Sequence, residues 1–323
     1  MIKVILTDQP FGVLDIERGI LDPLGCELID AQCKTEQALI PAVADADHII
    51  TTFAPLTAAV IAAMGKCRVI VRHGVGVDNV DLAAAAAKGI PVCNVPDYCV
   101  DEVADHALAM ILDLARKITT HAAVIRAGGW KLATPITAVN PLKELTVGIV
   151  AFGRIGREVA SRLKPFKCRV LVFDPAVDAS EIKAAGFTPA RLDELLAQSD
   201  VITLHCPSNE KTKQMINEQS IAKMKDGVML VNTSRGTLVK TDDLIATLQS
   251  GKISAAALDV LDPEPAPADS PLRTMDNVIL TPHMAAVSAK AVKTLRATAA
   301  NIVACAIRGE KLPNVVNKVP QRS

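Results

Sequence analysis

Short apolar runs alternate with stretches of helical spacing along almost the whole chain. Residues 4–7, 27–30, 48–52 and 68–71 are such runs, each ending where turns begin, as strands buried on both faces of a parallel sheet do. Between them, 36–43 and 57–64 have helical spacing. Residues 81–88 carry both a start and a stop signal, with Asp81 as N-cap, alanines inside and Gly89 after the last turn. This alternation predicts a small doubly wound domain over residues 1–98. From 100 to 127, Val103, Ala107, Met110, Ile111, Leu114 and Ile118 trace one helical face that no glycine or proline interrupts. An average helix has ~10–14 residues. The pattern predicts a single longer one, able to bridge two domains, closed by Gly128-Gly129-Trp130 and followed by a polar loop over 134–141.

The stretch 146–160, TVGIVAFGRIGREVA, reads as a buried strand, a tight glycine turn and a helix. A second apolar run, 169–173, ends at Asp174, which lies 174 − 156 = 18 residues after Gly156. This is the fingerprint of a βαβ unit that holds a dinucleotide, its pyrophosphate at the helix N-terminus and the carboxylate on a ribose diol. One position is off pattern, because Ala151 stands where the first glycine belongs. The expectation is that residue 151 keeps negative φ with its Cβ turned from the pyrophosphate. Ala151→Gly should then change dinucleotide affinity little, whereas bulk at Gly153 should abolish it.

Beyond Asp174, strands are predicted at 200–204, 228–232, 254–258 and 277–281, with helices at 191–198, 219–224 and 242–249, giving a second doubly wound domain of about six strands. The final helix, 288–308, is long enough to cross back, so the tail 313–323 should pack on the first domain. The predicted class is α/β: two doubly wound parallel-sheet lobes, Rossmann- and flavodoxin-like, joined by two long crossing helices with a cleft between. Residues 1–98 and 287–323 form one discontinuous domain, and 99–286 form the dinucleotide domain.

Composition narrows the ligand. The chain has 323 residues, enough for two domains. Half are apolar but only 2% aromatic, so alanine and branched aliphatics must fill the cores. Lys+Arg and Asp+Glu are equal at 35 each, without a basic run, which argues against nucleic acid and membrane surfaces as partners. Eight cysteines with no C-x-x-C pair suit buried small hydrophobes in a reducing compartment, not disulfides or a metal site. The opening apolar run is short for a signal peptide, and no segment approaches the roughly 20 apolar residues of a membrane span. A soluble cytoplasmic protein with a small ligand is expected.

A dinucleotide cradle performs no reaction alone. Hydride transfer to a carbonyl leaves an alkoxide, which needs a proton donor beside the oxygen and a cation to polarise it. Three residues follow strands of the second domain: Arg235 after 228–232, Glu264 in the proline-stiffened segment 262–265, and His283 after 277–281. Singly they read more readily as a surface charge, a solvated carboxylate and a capping or packed histidine. Jointly they converge on the sheet edge that carries the glycine turn. In the first domain the loops 51–57 and 72–79 also leave strand C-termini. Gly74 and Gly76 around Val75 would let consecutive backbone N–H groups face an anion, though an ordinary turn into the next helix fits as well. Arg72 and His73 flank that loop. His48 and His121 read as structural or surface residues, and His205 as orienting its loop.

These motifs make the chain recognisable. Gly74-Val75-Gly76-Val77-Asp78-Asn79-Val80-Asp81, Phe152-Gly153-Arg154-Ile155-Gly156-Arg157, His205-Cys206-Pro207, Asn232-Thr233-Ser234-Arg235-Gly236 and Thr281-Pro282-His283 occur in this order. The chain resembles the D-isomer-specific 2-hydroxyacid dehydrogenases, most closely members similar to 3-phosphoglycerate dehydrogenase without a regulatory domain. The resemblance implies NAD-dependent hydride transfer at C2 of a small D-2-hydroxy or 2-oxo acid of the hydroxypyruvate, glyoxylate or 3-phosphoglycerate type. It implies that His283 is the general acid/base and Glu264 its partner, a carboxylate favouring the imidazolium. Arg235 would grip the substrate carboxylate and carbonyl oxygen with a planar fork. Cofactor contacts would come from Gly153, Arg154, Ile155, Gly156, Asp174, Cys206, Pro207, Thr233, Ser234, Arg235, Asp259, His283 and Ala285. Phe53, Arg72, Val75 and Gly76 would join Arg235 on the substrate, with Arg72 on a second anionic or polar group. Asp174 is followed by Pro175 and Ala176, with no arginine for a 2′-phosphate, which favours NAD over NADP. Glu264 stands where formate dehydrogenases place a glutamine, which argues against formate. The family also suggests a homodimer through 100–141. C-terminal-binding-protein corepressors, NAD-sensing scaffolds of the same fold, keep the same three residues and are the alternative. The segment 96–102 departs from the phosphoglycerate dehydrogenase pattern, which bears on the natural substrate.

Overall fold

A computed structural model describes residues 1–320. In chain order the elements are β1 (Ile2–Leu6), α1 (Asp15–Leu21), β2 (Cys26–Asp30), α2 (Glu36–Val43), β3 (His48–Thr51), α3 (Ala58–Ala63), β4 (Val69–Arg72), α4 (Leu82–Ala87), β5 (Val92–Cys93), α5 (Val100–Arg116), α6 (Ile118–Arg126) and β6 (Thr146–Val150). There follow α7 (Arg154–Leu163), β7 (Arg169–Phe173), α8 (Ala179–Ala184), β8 (Thr188–Pro189), α9 (Leu192–Gln198), β9 (Val201–Leu204), α10 (Glu218–Ala222), β10 (Val228–Asn232), α11 (Thr241–Ser250), β11 (Ile253–Leu258), β12 (Val278–Leu280) and α12 (Ala289–Arg308). They form two compact units, Met1–Cys99 with Ser288–Ser323, and Val100–Val287. The last three residues of the tail, 321–323, lie outside the described residues.

In the first unit five parallel strands run in the order β2-β1-β3-β4-β5. Strand alternation divides its core: Val4 and Leu6 face Leu21 of α1 and Leu295 of α12, whereas Ile5 faces Leu39 of α2 and Val60 of α3. Arg296 of α12 reaches Glu17 of α1 through Nε (2.8 Å) and Nη2 (2.6 Å), and Glu17 is fully buried. The tail closes the β5 edge. Val316 N–H donates to Val92 O, and Asn317 Oδ1 accepts from Val92 N–H at 3.0 Å.

The second unit holds seven parallel strands in the order β12-β11-β10-β9-β6-β7-β8, one more than expected. β5 and β8 have two residues each, too few to show a hydrophobic period. The register aligns Val150, Leu204, Asn232, Leu258 and Leu280 in one row. The residues that follow, Ala151, His205, Thr233, Asp259 and Thr281, therefore leave one edge of the sheet. The strand order reverses between β6 and β9, where doubly wound sheets bind ligands.

One predicted element breaks in two. The helix expected over 100–127 stops at Arg116, and Lys117 takes φ +56° before α6 begins. Asp113 supplies the alternative, its Oδ1 accepting from Thr119 N–H at 2.9 Å and its Oδ2 from the Thr119 hydroxyl. The β-branched run Ile118-Thr119-Thr120 gives little propensity to resist the break. The chain passes between the units just before α5 and just before α12.

Candidate active site

The glycine turn reverses an expectation. Ala151 has φ +78°, the left-handed region in which an L residue is strained, not the negative φ anticipated. Two hydrogen bonds hold it there: Ala151 N–H donates to Phe173 O at 2.7 Å, and Phe152 N–H to Asp174 Oδ2 at 2.7 Å. Asp174 thus builds the turn, its Oδ1 also accepting from Ala176 N–H at 2.8 Å. Gly156 is required for close approach, since a Cβ there would lie 2.1 Å from Ala151 O. Gly153 is different. It caps α7, and a Cβ there would meet no atom within 4 Å, so open space lies before the helix N-terminus. Arg154 and Ile155 form the first turn of α7. At the same sheet edge Thr233 Oγ1 is buried without a hydrogen-bond partner. Ser234 Oγ donates to Cys206 O at 2.6 Å, tying the 232–236 loop to Cys206-Pro207. An open helix N-terminus, a carboxylate after β7 and an orphan hydroxyl fit a dinucleotide lying across β6 and β9.

Three loops, after β10, β11 and β12, carry Arg235, Glu264 and His283 to this edge. His283 Nδ1 lies 2.6 Å from Glu264 Oε1, both side chains being about two-fifths exposed (42% and 40%). Burial opposes ionisation of Glu264, but the hydrogen bond and charge of His283, with smaller help from Leu261 N–H and Arg235, hold its carboxyl below the ordinary value. A carboxylate only accepts, so Nδ1 is the donor of this hydrogen bond. Arg235 arrives because Gly236 lets the backbones meet: a Cβ on Gly236 would lie 1.9 Å from the Leu261 carbonyl. Arg235 Nη1 donates to Ser234 O at 2.6 Å. His283, Glu264 and Thr281 line a cavity of about 400 Å³.

Asp259 and His106 complete this group. Asp259, only 2% exposed, accepts from the Thr281 hydroxyl at 2.5 Å, Met284 N–H at 2.9 Å and Ala285 N–H at 2.9 Å. Its backbone oxygen accepts from His283 N–H at 2.9 Å, and His283 itself has φ +51°. Sequence reasoning missed His106, whose Nε2 is 3.2 Å from Thr281 Oγ1. The available signal was an imidazole on α5 between the buried residues Val103 and Ala107.

In the first unit the loops after β3 and β4 are tied together, Asn79 Nδ2 donating to Ala54 O at 2.9 Å. Phe53 is 65% exposed, while its N–H donates to Asp8 Oδ2 at 2.7 Å. Val75 is part-exposed and its carbonyl accepts from Asn94 Nδ2 at 2.6 Å; Gly76 follows it. The Arg72 guanidinium lies over Gly74, where a Cβ would strike Nη1. His73 turns inward, its Nδ1 3.2 Å from Thr52 Oγ1 and its ring edge-on to Phe11, and burial pushes its pKa down to about 3. It is neutral and takes no part in an anion loop. His205 and His48 are likewise held neutral by burial, each lowered to about 4. Among the described residues no group of three His, Cys, Asp or Glu can hold a metal ion, and no helix is long and apolar enough to cross a membrane.

The seven-stranded unit is a dinucleotide-binding α/β domain with an imidazole–carboxylate pair at its ligand edge. Residues 108–285 match the NAD binding domain of D-isomer specific 2-hydroxyacid dehydrogenases, and the chain belongs to that family, with NAD as its cofactor. It is 37% identical to D-3-phosphoglycerate dehydrogenase of Mycobacterium leprae, over 92% of this chain and 55% of that protein, so it spans about half the length of that relative. It is 35% identical to hydroxypyruvate reductase of Blautia hydrogenotrophica, over 98% of this chain and 99% of that one. D-lactate dehydrogenase of Aquifex aeolicus, solved with NAD and lactic acid, has a TM-score of 0.86 at 30% identity, covering 95% of this chain and 96% of that chain.

Proposed function

We propose that the protein is an NAD-dependent D-2-hydroxyacid dehydrogenase interconverting a small 2-oxo acid and its D-2-hydroxy acid. The observation that carries this reading is the 2.6 Å contact between His283 Nδ1 and Glu264 Oε1 at the edge that bears the glycine turn. NAD, when bound at Gly153–Gly156, Asp174 and Thr233, supplies or takes the hydride at C2. His283 Nε2 gives the proton to the forming alkoxide or takes it from the hydroxyl, and Glu264 stabilises the imidazolium and fixes its orientation. Arg235 holds the substrate carboxylate and polarises the carbonyl oxygen, a task for a planar fork. From the first unit, Phe53, Arg72 and the N–H groups of Val75 and Gly76 are assigned to the substrate.

The substrate class is that of hydroxypyruvate, glyoxylate and 3-phosphohydroxypyruvate, which the names of the relatives support. The test is oxidation of NADH, and of NADPH for comparison, with each acid. Turnover that is lost in Arg235→Lys upholds the proposal. Tight NAD binding without turnover of any acid overturns it in favour of an NAD-sensing scaffold. Arg72→Ala should raise KM for 3-phosphohydroxypyruvate and spare glyoxylate; equal effects on both would remove Arg72 from the substrate site. We further assign a homodimer through 100–141, supported by the exposure of Ile118, Trp130 and Ile136 (60%, 90% and 77%), and the cytosol, supported by eight cysteines scattered without a C-x-x-C pair.

A further inference from the structure

We propose that His106 is a positioning residue that braces the catalytic histidine through Thr281 and Asp259, and that the brace requires a proton on His106 Nε2. The inference rests on the assignment of His283 as acid/base. The direction of each hydrogen bond follows from proton counting. Asp259 only accepts, and the 2.5 Å contact from Thr281 Oγ1 uses the one hydroxyl proton of that residue. Thr281 Oγ1 must then accept from its other neighbour, His106 Nε2, at 3.2 Å. His106 Nε2 also lies 3.8 Å from Asp259 Oδ1, so its N–H points toward negative charge.

The brace has a load to hold. His283 has φ +51°, outside the range a histidine adopts freely, and Thr281, Met284 and Ala285 on either side are bonded to the same Asp259 carboxylate. His106 stands on a different element, the 17-residue α5, which packs on α7, β10 and β11. It therefore ties the Asp259–Thr281 pair to the body of the unit, and through it the direction of the His283 ring. Only a donor of this reach completes the chain. A glutamine can place its amide N–H where Nε2–H stands, and a leucine fills the space without a donor.

The test compares His106→Leu with His106→Gln. Leucine should lower kcat about ten- to a hundredfold, the effect of misplacing a reacting group by a fraction of an ångström to an ångström. NAD affinity by calorimetry should stay within about twofold, and glutamine should restore most of kcat. Nitrogen-15 NMR of the ligand-free protein should show a proton on His106 Nε2. An Nδ1–H tautomer, wild-type kcat in His106→Leu, a glutamine variant no better than leucine, or a loss confined to NAD affinity would each overturn the proposal. Should His106→Leu fail to fold, Thr281→Val against Thr281→Ser makes the same comparison, the serine keeping the hydroxyl. The tautomer is read without turnover, so a wild-type protein inactive on every 2-oxo acid would overturn the assignment of His283 while the tautomer still decides the brace.

Discussion

Ala151 offers the sharpest check on the dinucleotide turn. At φ +78° a Cβ crowds the following carbonyl, a strain of roughly 1–2 kcal/mol for an L residue. Glycine adopts this conformation freely, but its greater freedom in the unfolded chain returns about 0.5–1 kcal/mol. Ala151→Gly should therefore stabilise the second unit by about 0.5–1 kcal/mol. That unit spans Val100–Val287, 287 − 100 + 1 = 188 residues, for which a kilocalorie moves Tm by roughly 2–4 °C. A rise of about 1–4 °C is expected by calorimetry, with a matching shift of the urea midpoint and no change in slope. The bonds that impose the turn, from Ala151 N–H to Phe173 O and from Phe152 N–H to Asp174, involve no ligand, so the gain should appear in ligand-free protein and NAD affinity should hardly move. A variant that is no more stable, or less so, would show that residue 151 does not sit at positive φ in solution. Gly156→Ala is the opposing control. Its Cβ would collide with Ala151 O and must displace α7, so both stability and NAD binding should fall.

Three further outcomes follow from the same coordinates. Gly153→Val meets open space within the protein, so it should lower stability by at most about 1 kcal/mol as a poor N-cap yet abolish NAD binding in a calorimetric titration; retained binding would remove the pyrophosphate from this helix end. Arg296→Met strands the fully buried Glu17 carboxylate and should lose about 3–5 kcal/mol in urea unfolding, most of it recovered when Glu17→Met is added; a double variant as weak as the single would refute the desolvation account. Burial holds His48 and His205 at about 4 and His73 at about 3, against an ordinary 6.5. Between about pH 6.5 and 4 the unfolded chain binds more protons, so stability rises with pH there, by up to ~4 kcal/mol per unit for three residues, and the three add nothing further above 6.5. Urea midpoints that stay level from pH 7.5 to 5 would show that these imidazoles protonate without unfolding.

What the sequence settled is local. Apolar runs such as 146–150 and 228–232 and the glycines at 153 and 156 mark two strands and the position of a tight turn from neighbouring residues alone. Arg235, Glu264 and His283 were legible because each closely follows such a strand, and a parallel register brings strand ends to one edge. Tertiary contacts decided the remainder. Ala151 takes positive φ because Phe173 and Asp174, some 22 residues on, hold the turn more strongly than the methyl resists it. One local contact also escaped the pattern: the helix after Val100 breaks at Lys117 because the Asp113 carboxylate, six residues before Thr119, offers it a partner that helical periodicity does not register. His106 and Thr281 stand 175 residues apart, and nothing in the spacing of either reports the other. Hydrophobic patterning sees burial one residue at a time, whereas the direction of a hydrogen bond between distant loops exists only once the sheet has set those loops side by side.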